Sequence, residues 1–137
     1  MVKGFVLRAD TGAPSPGAGG RILANASQTQ GEFSLLLSNA PAGDGAPLHV
    51  HDRESESFFV LAGQYRIRCG DDTFEAGPRD FVHLPRGVPH AWTVTGASVG
   101  SKLILAVPGG IEAFFEDLAA GVQLDDLTHR HGVRFLA

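Results

Sequence analysis

The sequence predicts an all-β fold, an antiparallel sandwich or barrel of short strands with a short C-terminal helical segment. Two observations support this fold class. Short runs of alternating apolar and polar residues recur at intervals of about eight to twelve residues, with glycine or proline at the corners between them. The chain also contains 18 Gly and 8 Pro, which is high for a helical bundle and normal for a chain that turns often.

Length, charge and cysteine content exclude several classes of protein. A chain of 137 residues fits one domain. Its 15 acidic and 11 basic residues give a net charge of −4, so no basic surface predicts nucleic-acid binding. No apolar run approaches the roughly 18 residues of a membrane helix, and the first residues lack the apolar core of a secretory signal, so we expect a cytoplasmic protein. Cys69 is the single cysteine, which rules out an internal disulfide.

The first third of the chain mixes candidate strands with turns. Residues 5–7 could form a short strand, and residues 11–20, with two Pro and four Gly, predict an irregular connection. Residues 32–38 show a period of two with one lapse, which indicates a strand with both faces partly covered. Residues 41–47 have the composition of a turn.

The middle of the chain carries the clearest strands. Tyr65, Ile67 and Cys69 alternate with Arg66 and Arg68, which predicts an apolar face and an outward charged face. The Gly-Asp-Asp that follows is typical of a hairpin turn. In this part of the chain we predict strands over 56–62, 65–69, 73–75, 80–84, 90–94 and 102–107.

The end of the chain has helical spacing. Within residues 110–120 the apolar residues fall at i, i+3, i+4 and i+7, and we expect this stripe to close one end of the barrel or to pack at an interface: Ile111, Phe114, Phe115 and Leu118. A second short helix is predicted over 125–130, and Gly132 would end it. Residues 133–136 could then return as an edge strand.

Three histidines and a glutamate carry the chemistry that the sequence suggests. His49 and His51 are separated by one residue, so an extended strand places both imidazoles on the same face. Glu56 follows five residues later, and His90 comes just after a proline- and glycine-rich corner. Three neutral imidazoles and one carboxylate suit Fe, Mn, Ni, Co or Zn in the divalent state, and four protein ligands leave coordination positions open for a substrate.

Two stretches of sequence resemble the motifs of the cupin family. Residues 45–63, GAPLHVHDRESESFFVLAG, are similar to the first motif, His-x-His, four residues, Glu, six residues and Gly. Residues 80–90, DFVHLPRGVPH, are similar to the second motif with its Pro-x-Gly-x-x-His core. The lead-in GEFSL (31–35) and the tail PGGIEAFF (108–115) resemble the quercetinase-type branch, small cupins related to flavonol 2,3-dioxygenases.

The resemblance implies both a fold and a set of ligands. It implies a cupin double-stranded β-helix, an antiparallel jelly-roll barrel, as a single domain over 1–137 with the barrel core at about 22–107 and the helical appendage at about 109–131. One divalent metal would be held by His49, His51, Glu56 and His90. Strand parity does not choose between Glu54 and Glu56, but the six residues before Gly63 favour Glu56, which leaves Glu54 solvated at the loop.

The sequence departs from the family pattern at two positions. Arg79 stands where a glycine usually precedes the aspartate of the second motif, which predicts an altered turn. Val94 stands where an asparagine is frequent, four residues after the last histidine, which predicts a more apolar pocket wall. Neither residue is a ligand, so we expect metal binding to survive both changes.

Strand parity also proposes the lining of a substrate pocket. Trp92 and Val94 share the face of His90, while Phe58 and Val60 share the face of Glu56, so all four could line a cavity beside the metal or simply form core. His83 could reach the same pocket as an acid, a base or a support for a ligand, although such a histidine more often fills space with one hydrogen bond.

Three functions remain open from the sequence. The first is a metal-dependent dioxygenase that acts on an enolisable aromatic, flavonol-like substrate, with Glu56 as the catalytic base. The second is a non-oxidative metal-dependent cupin such as a polyketide cyclase, isomerase or lyase. The third is a metal-stabilised module that binds a small apolar or aromatic molecule without turnover. The resemblance also implies a homodimer.

Overall fold

The computed structural model describes residues 3–136, which contain strands and two helices. In chain order these are β1 Pro14–Ser15, β2 Gly20–Ala24, β3 Ser34–Ala40, β4 Gly45–His51, β5 Ser55–Ala62, β6 Gln64–Cys69, β7 Asp72–Ala76, β8 Phe81–Leu84, β9 His90–Thr95, β10 Gly100–Val107, α1 Ile111–Ala119, α2 Leu124–His131 and β11 Val133–Phe135. The predicted all-β fold with a C-terminal helical segment is therefore confirmed. No helix of the described residues is long and apolar enough to cross a membrane.

The strands form two antiparallel sheets that enclose one core. The six-stranded sheet has the order β1-β2-β3-β10-β5-β8, and the five-stranded sheet has the order β11-β4-β9-β6-β7. Their inner faces supply the largest buried apolar side chains, among them Phe58, Tyr65, Leu36 and Ile67. Two sheets packed over a shared core give the jelly-roll barrel.

Alternation along each strand decides which residues enter the core. On β6, Tyr65 and Ile67 are fully buried, whereas Arg66 and Arg68 are exposed, as the sequence predicts. On β3 the inward face carries Leu36 between two buried serines, and the outward leucines are half-buried. The prediction that both faces of this strand are partly covered is thus confirmed.

The C-terminal segment folds back onto the barrel. Ile111 and Phe114 of α1 are buried, as is Leu127 of α2. Gly132 ends α2 in the left-handed conformation, with φ 70°, which glycine adopts without strain. The chain then forms β11, the edge strand of the five-stranded sheet, which pairs with β4 and places Phe135 opposite His49.

Several local expectations are wrong or need adjustment. Residues 5–7 form no strand. The sequence predicts residues 11–20 to be irregular, but β1 lies within this segment and β2 begins at its last residue, Gly20. Strand β4 already starts at Gly45, inside the predicted turn. Pro47 is tolerated there because the pairing of β4 with β9 shifts register between residues 46 and 49, and a proline without an N–H fits such an irregularity.

The turn before β8 shows how the arginine at position 79 is accommodated. Arg79 adopts φ 71°, a left-handed conformation that favours glycine. Its backbone N–H donates to the carbonyl oxygen of Val60 at 2.7 Å. The turn is therefore one that glycine would fit, and the arginine occupies it at a conformational cost.

Candidate metal centre

The four predicted ligand residues converge at one end of the barrel. His49 and His51 project inward from β4, Glu56 lies near the start of β5, and His90 begins β9, where it pairs directly with His49. All four side chains are buried, and one potential ligand atom from each lies within 4.8 Å of the others. Residues far apart in sequence therefore form a single compact donor cluster.

The three imidazoles are oriented by different neighbours. His49 Nδ1 lies 2.7 Å from the Pro47 carbonyl oxygen; because a carbonyl only accepts, Nδ1 carries the proton and Nε2 keeps its lone pair. His51 places Nδ1 2.6 Å from Glu54 Oε1 and Nε2 2.8 Å from Glu56 Oε1. His90 Nε2 lies 3.3 Å from the same Glu56 oxygen.

Glu54 corrects one expectation. It was predicted to be solvated at the loop, but its residue is only 9% exposed and its carboxylate holds the outer nitrogen of His51. The chain bends at residues 52–53 between β4 and β5, which turns Glu54 back toward the histidine. A carboxylate behind a histidine fixes the ring and raises its basicity as a metal ligand.

Burial and neighbouring charges shift the pKa values of the cluster residues in opposite directions. Burial would lower the pKa of His51, but the charge of Glu56 and the hydrogen bonds from Glu54 and Glu56 raise it to about 10. Burial and the neighbouring His90 instead lower the pKa of His49 to about 4. Burial would raise the pKa of Glu56, yet His51 holds it well below its usual range. The two carboxylates therefore favour a proton on His51 when no ion is bound.

The donor set fits a divalent metal. The Nδ1 of the buried His90 lacks a hydrogen-bond partner among residues 3–136, and its Nε2 has only the 3.3 Å contact with Glu56, which leaves the ring poorly satisfied unless another group is bound. His49 offers a neutral nitrogen, and Glu56 offers a carboxylate oxygen at the same point. Three imidazoles and one carboxylate suit first-row divalent transition metals. The cluster of His49, His51, Glu56 and His90 could therefore hold such an ion.

The match to a family profile now identifies the fold. Residues 36–107 match the Cupin_2 family, described as the cupin domain. The chain belongs to the cupin family. Over 99 residues, or 72% of this chain, it is 32% identical to the quercetin 2,3-dioxygenase of Bacillus subtilis, and it spans 29% of the length of that protein.

Solved structures support the same assignment. KdgF from a Halomonas species has a TM-score of 0.60 at 15% identity and covers 68% of this chain and 82% of its own. A protein from Klebsiella pneumoniae with a double-stranded β-helix domain has a TM-score of 0.58 at 14% identity and covers 77% and 84%. The DMSP lyase DddQ from Ruegeria pomeroyi is 31% identical, with a TM-score of 0.51 and coverage of 56% and 39%.

A cavity of about 590 Å³ opens beside the cluster of His49, His51, Glu56 and His90 in this cupin. His49, His51 and Glu56 form part of its wall. The C-terminal segment supplies an aromatic and aliphatic wall: Phe114, Phe115, Leu118, Leu124 and Phe135. Three of the four residues of the predicted helical stripe thus border the cavity, whereas Ile111 is buried and does not. A volume of this size suits a small organic molecule.

The five residues expected to line a pocket separate into three groups. Trp92 borders the cavity. Phe58, Val60 and Val94 face inward but are fully buried core residues and do not border it, because parity sets the face of a strand and not the depth along it. His83 lies on the exposed outer face of β8, opposite the buried Val82 and Leu84, and its Nδ1 is 2.9 Å from Ser57 Oγ.

Lys102 is an interior residue that the sequence interpretation missed. Its side chain is fully buried on β10, and its Nζ has no hydrogen-bond partner among the described residues. The nitrogen lies over three aromatic rings, 3.4 Å from the centroid of Trp92, 4.8 Å from Phe58 and 4.9 Å from Tyr65. Burial lowers the pKa of Lys102 to about 7, although the charge of Glu56 acts in the opposite direction. The sequence did contain a signal, because Lys102 is in phase with the buried Ile104 and Ala106.

Proposed function

We propose that this cupin is a metal-dependent dioxygenase that acts on an enolisable aromatic, flavonol-like substrate. The observation that carries the proposal is a buried donor cluster of three histidines and Glu56 that opens onto a largely apolar cavity. The 32% identity to quercetin 2,3-dioxygenase over 99 residues supports this substrate class. The metal ligands in the proposal are His49, His51, Glu56 and His90.

Each side chain of the site has a defined task in this proposal. A divalent metal bound there supplies a Lewis acid that lowers the pKa of a substrate hydroxyl. Glu56 is positioned to accept the hydroxyl proton, because it is the cluster carboxylate that borders the cavity. The His51 proton that holds the pKa of Glu56 low in the free protein would be displaced when an ion binds. Glu54 is occupied by His51 Nδ1 and keeps that ring oriented.

The apolar wall positions the substrate and excludes water. Trp92 and Phe135 border the cavity from the five-stranded sheet, and Phe114 borders it from α1. Phe114 and Phe135 also contact the ligand histidines, with ring centroids 5.9 Å from His51 and 5.8 Å from His49. Aromatic faces so close to the cluster suit a flat substrate that reaches the metal with an oxygen atom.

The test combines metal analysis with an oxygen electrode. Wild-type protein should contain about one equivalent of Fe, Mn, Ni or Co per chain and should consume oxygen in the presence of a flavonol or a hydroxyquinone. Glu56→Gln weakens one ligand, so it is assayed after loading to wild-type metal content with excess ion, and it should then lose about 10²- to 10⁴-fold in turnover, the range expected for removal of a general base. Glu75→Gln, an exposed carboxylate on β7, is the matched control and should behave as wild type. Full metal content without oxygen uptake on any substrate of the panel would contradict the proposal.

A second candidate is a non-oxidative reaction at the same site, as in a lyase, isomerase or polyketide cyclase. The 31% identity to the DMSP lyase DddQ over 56% of this chain favours keeping the lyase in view. Turnover that survives strict anaerobiosis would favour this candidate over the dioxygenase. Ligand binding without turnover, unchanged in Glu56→Gln, would indicate a binding module.

We further propose that the chain forms a homodimer through the outer face of its six-stranded sheet. Phe81 and Leu61 are 67% and 47% exposed on this face, next to the half-buried outward side chains of Phe59 and Leu103. A contiguous apolar surface of this kind is typical of an interface. Light scattering should give the mass of two chains, and Phe81→Asp should give the mass of one.

A further inference from the structure

Lys102 is a buried ionisable group that the proposed reaction does not use. Among residues 3–136 its ammonium has no carboxylate or carbonyl partner, and the faces of Trp92, Phe58 and Tyr65 surround it. Tyr65 is itself buried, and burial raises its pKa to about 12, so it adds no compensating negative charge. We call Lys102 and these three rings the lysine cage.

The cage is an unfavourable way to fill a core. Removing an ammonium from water without an ionic or hydrogen-bonding partner is costly, and cation–π contacts recover only part of that cost. A methionine of similar length would fill the same space without the penalty. Such a cost is typical of a residue retained for function.

The position of the cage relative to the cavity indicates what that function is. Trp92 borders the cavity, and its ring also lies against Lys102 Nζ, which does not border it. Ser38, the register partner of Lys102 on β3, and Ile104, two residues further on, both border the cavity as well. The ammonium therefore lies directly behind the cavity wall, in a low-dielectric interior that screens charge poorly.

We propose that Lys102 is a specificity-determining residue whose positive charge behind Trp92 makes the cavity select an anionic aromatic ligand, a phenolate, enolate or carboxylate, over its neutral isostere. The proposal rests on the proposed function in one respect, that substrates occupy this cavity. A positive charge behind the ring withdraws electron density from the indole and attracts negative charge on the opposite side. The cage thereby adds to the metal's preference for an ionised substrate oxygen.

The chain offers a direct optical readout and a matched control. Trp92 is its single tryptophan, so quenching of intrinsic fluorescence reports binding at the cavity wall. Its two lysines are Lys102 and the exposed Lys3. Metal-loaded wild type, Lys102→Met and Lys3→Met would be titrated with 2-naphthoate and with 2-naphthamide at one mildly acidic pH. Elemental analysis of each variant would establish equal metal content, so that the metal's own preference for the anion cancels between variants.

The expected result is a change in the ratio of the two affinities. Lys102→Met should reduce the preference for naphthoate over naphthamide by about tenfold relative to wild type, whereas Lys3→Met should leave it unchanged. Lys102→Gln, a second neutral variant, should reproduce the loss if Lys102→Met does not fold. An unchanged ratio in a folded, metal-loaded neutral variant would overturn the proposal. Absence of oxygen uptake with an intact naphthoate preference would instead contradict the dioxygenase and leave the role of Lys102 standing.

Discussion

The metal-ligand cluster and the lysine cage both bury a basic side chain, and their pKa values move in opposite directions. The His51 side chain is 3% exposed and its pKa is raised to about 10, whereas Lys102 is fully buried and its pKa is lowered to about 7. The two pKa values shift in opposite directions because different groups surround the two side chains. His51 has a carboxylate at each ring nitrogen, but Lys102 has only aromatic faces.

The comparison shows that burial alone does not determine what a charged group does. Desolvation disfavours the charged form at both sites, and only at His51 do paired carboxylates overcome it. The cluster therefore favours an exchangeable cation, either a proton or a metal ion. The cage holds a positive charge that is covalently attached and that no contact of the described residues neutralises.

Loss of a ligand should have the largest effect. His90→Ala removes one of four donors and should lower the affinity for a divalent metal by more than the roughly 100-fold that loss of a supporting residue can cost. Competition with a chelator of known affinity measures this change. His129→Ala, an exposed histidine on α2, is the control and should keep wild-type affinity. Full affinity in His90→Ala would remove this residue from the ligand set.

Replacing Lys102 with a neutral residue should raise the free energy of unfolding, by an amount that depends on pH. Lys102 has a folded-state pKa of about 7 against an ordinary value of 10.5, so between these pH values the unfolded chain binds more protons and wild-type stability rises with pH. Lys102→Met should therefore exceed wild type in free energy of unfolding by about 4 kcal/mol near pH 7, with the gain vanishing toward pH 10.5.

Urea unfolding of wild type and Lys102→Met at several pH values tests this prediction. The contribution of His51 titration is common to both proteins and cancels in their difference. A difference that stays constant over this pH range would show that Lys102 is not a desolvated ammonium in the folded protein.

Removal of the carboxylate behind His51 should have an intermediate effect. Glu54→Gln weakens the support of one ligand without removing it, so metal affinity should fall about 10- to 100-fold. Asp52→Asn is the matched control, because Asp52 is more exposed and its carboxylate pairs with Arg134 on β11. Equal affinities in the two variants would mean that Glu54 does not support the metal.

The outward histidine should have the smallest effect. His83 lies on the exposed face of β8, away from the cavity, and forms a side-chain hydrogen bond with Ser57 of β5. His83→Ala should change the free energy of unfolding by no more than about 0.5 kcal/mol and leave metal content unaltered. Loss of metal or of ligand binding in this variant would place His83 functionally in the site.

Strand alternation and two short motifs were enough to predict the fold and the four residues of the cluster. They did not predict Glu54, because a bend and not strand parity turns it onto His51. They did not predict Phe135, since its position opposite His49 depends on β11 returning to the edge of β4. The position of an inward side chain along the barrel was the other property that the sequence did not predict. Val60 and Trp92 both face inward, yet only Trp92 of the two reaches the cavity.

The most direct test of the metal centre is a calorimetric titration of Zn²⁺ into chelator-treated protein at about pH 8, repeated in buffers with different ionisation enthalpies. The raised pKa of His51 predicts that this residue is protonated at about pH 8, and an ion bound between the three histidines and Glu56 would have to displace the proton on its inner nitrogen. We expect one zinc ion per chain and the release of about one proton. Failure to bind, or binding without proton release, would contradict the assignment of these four residues as a metal centre.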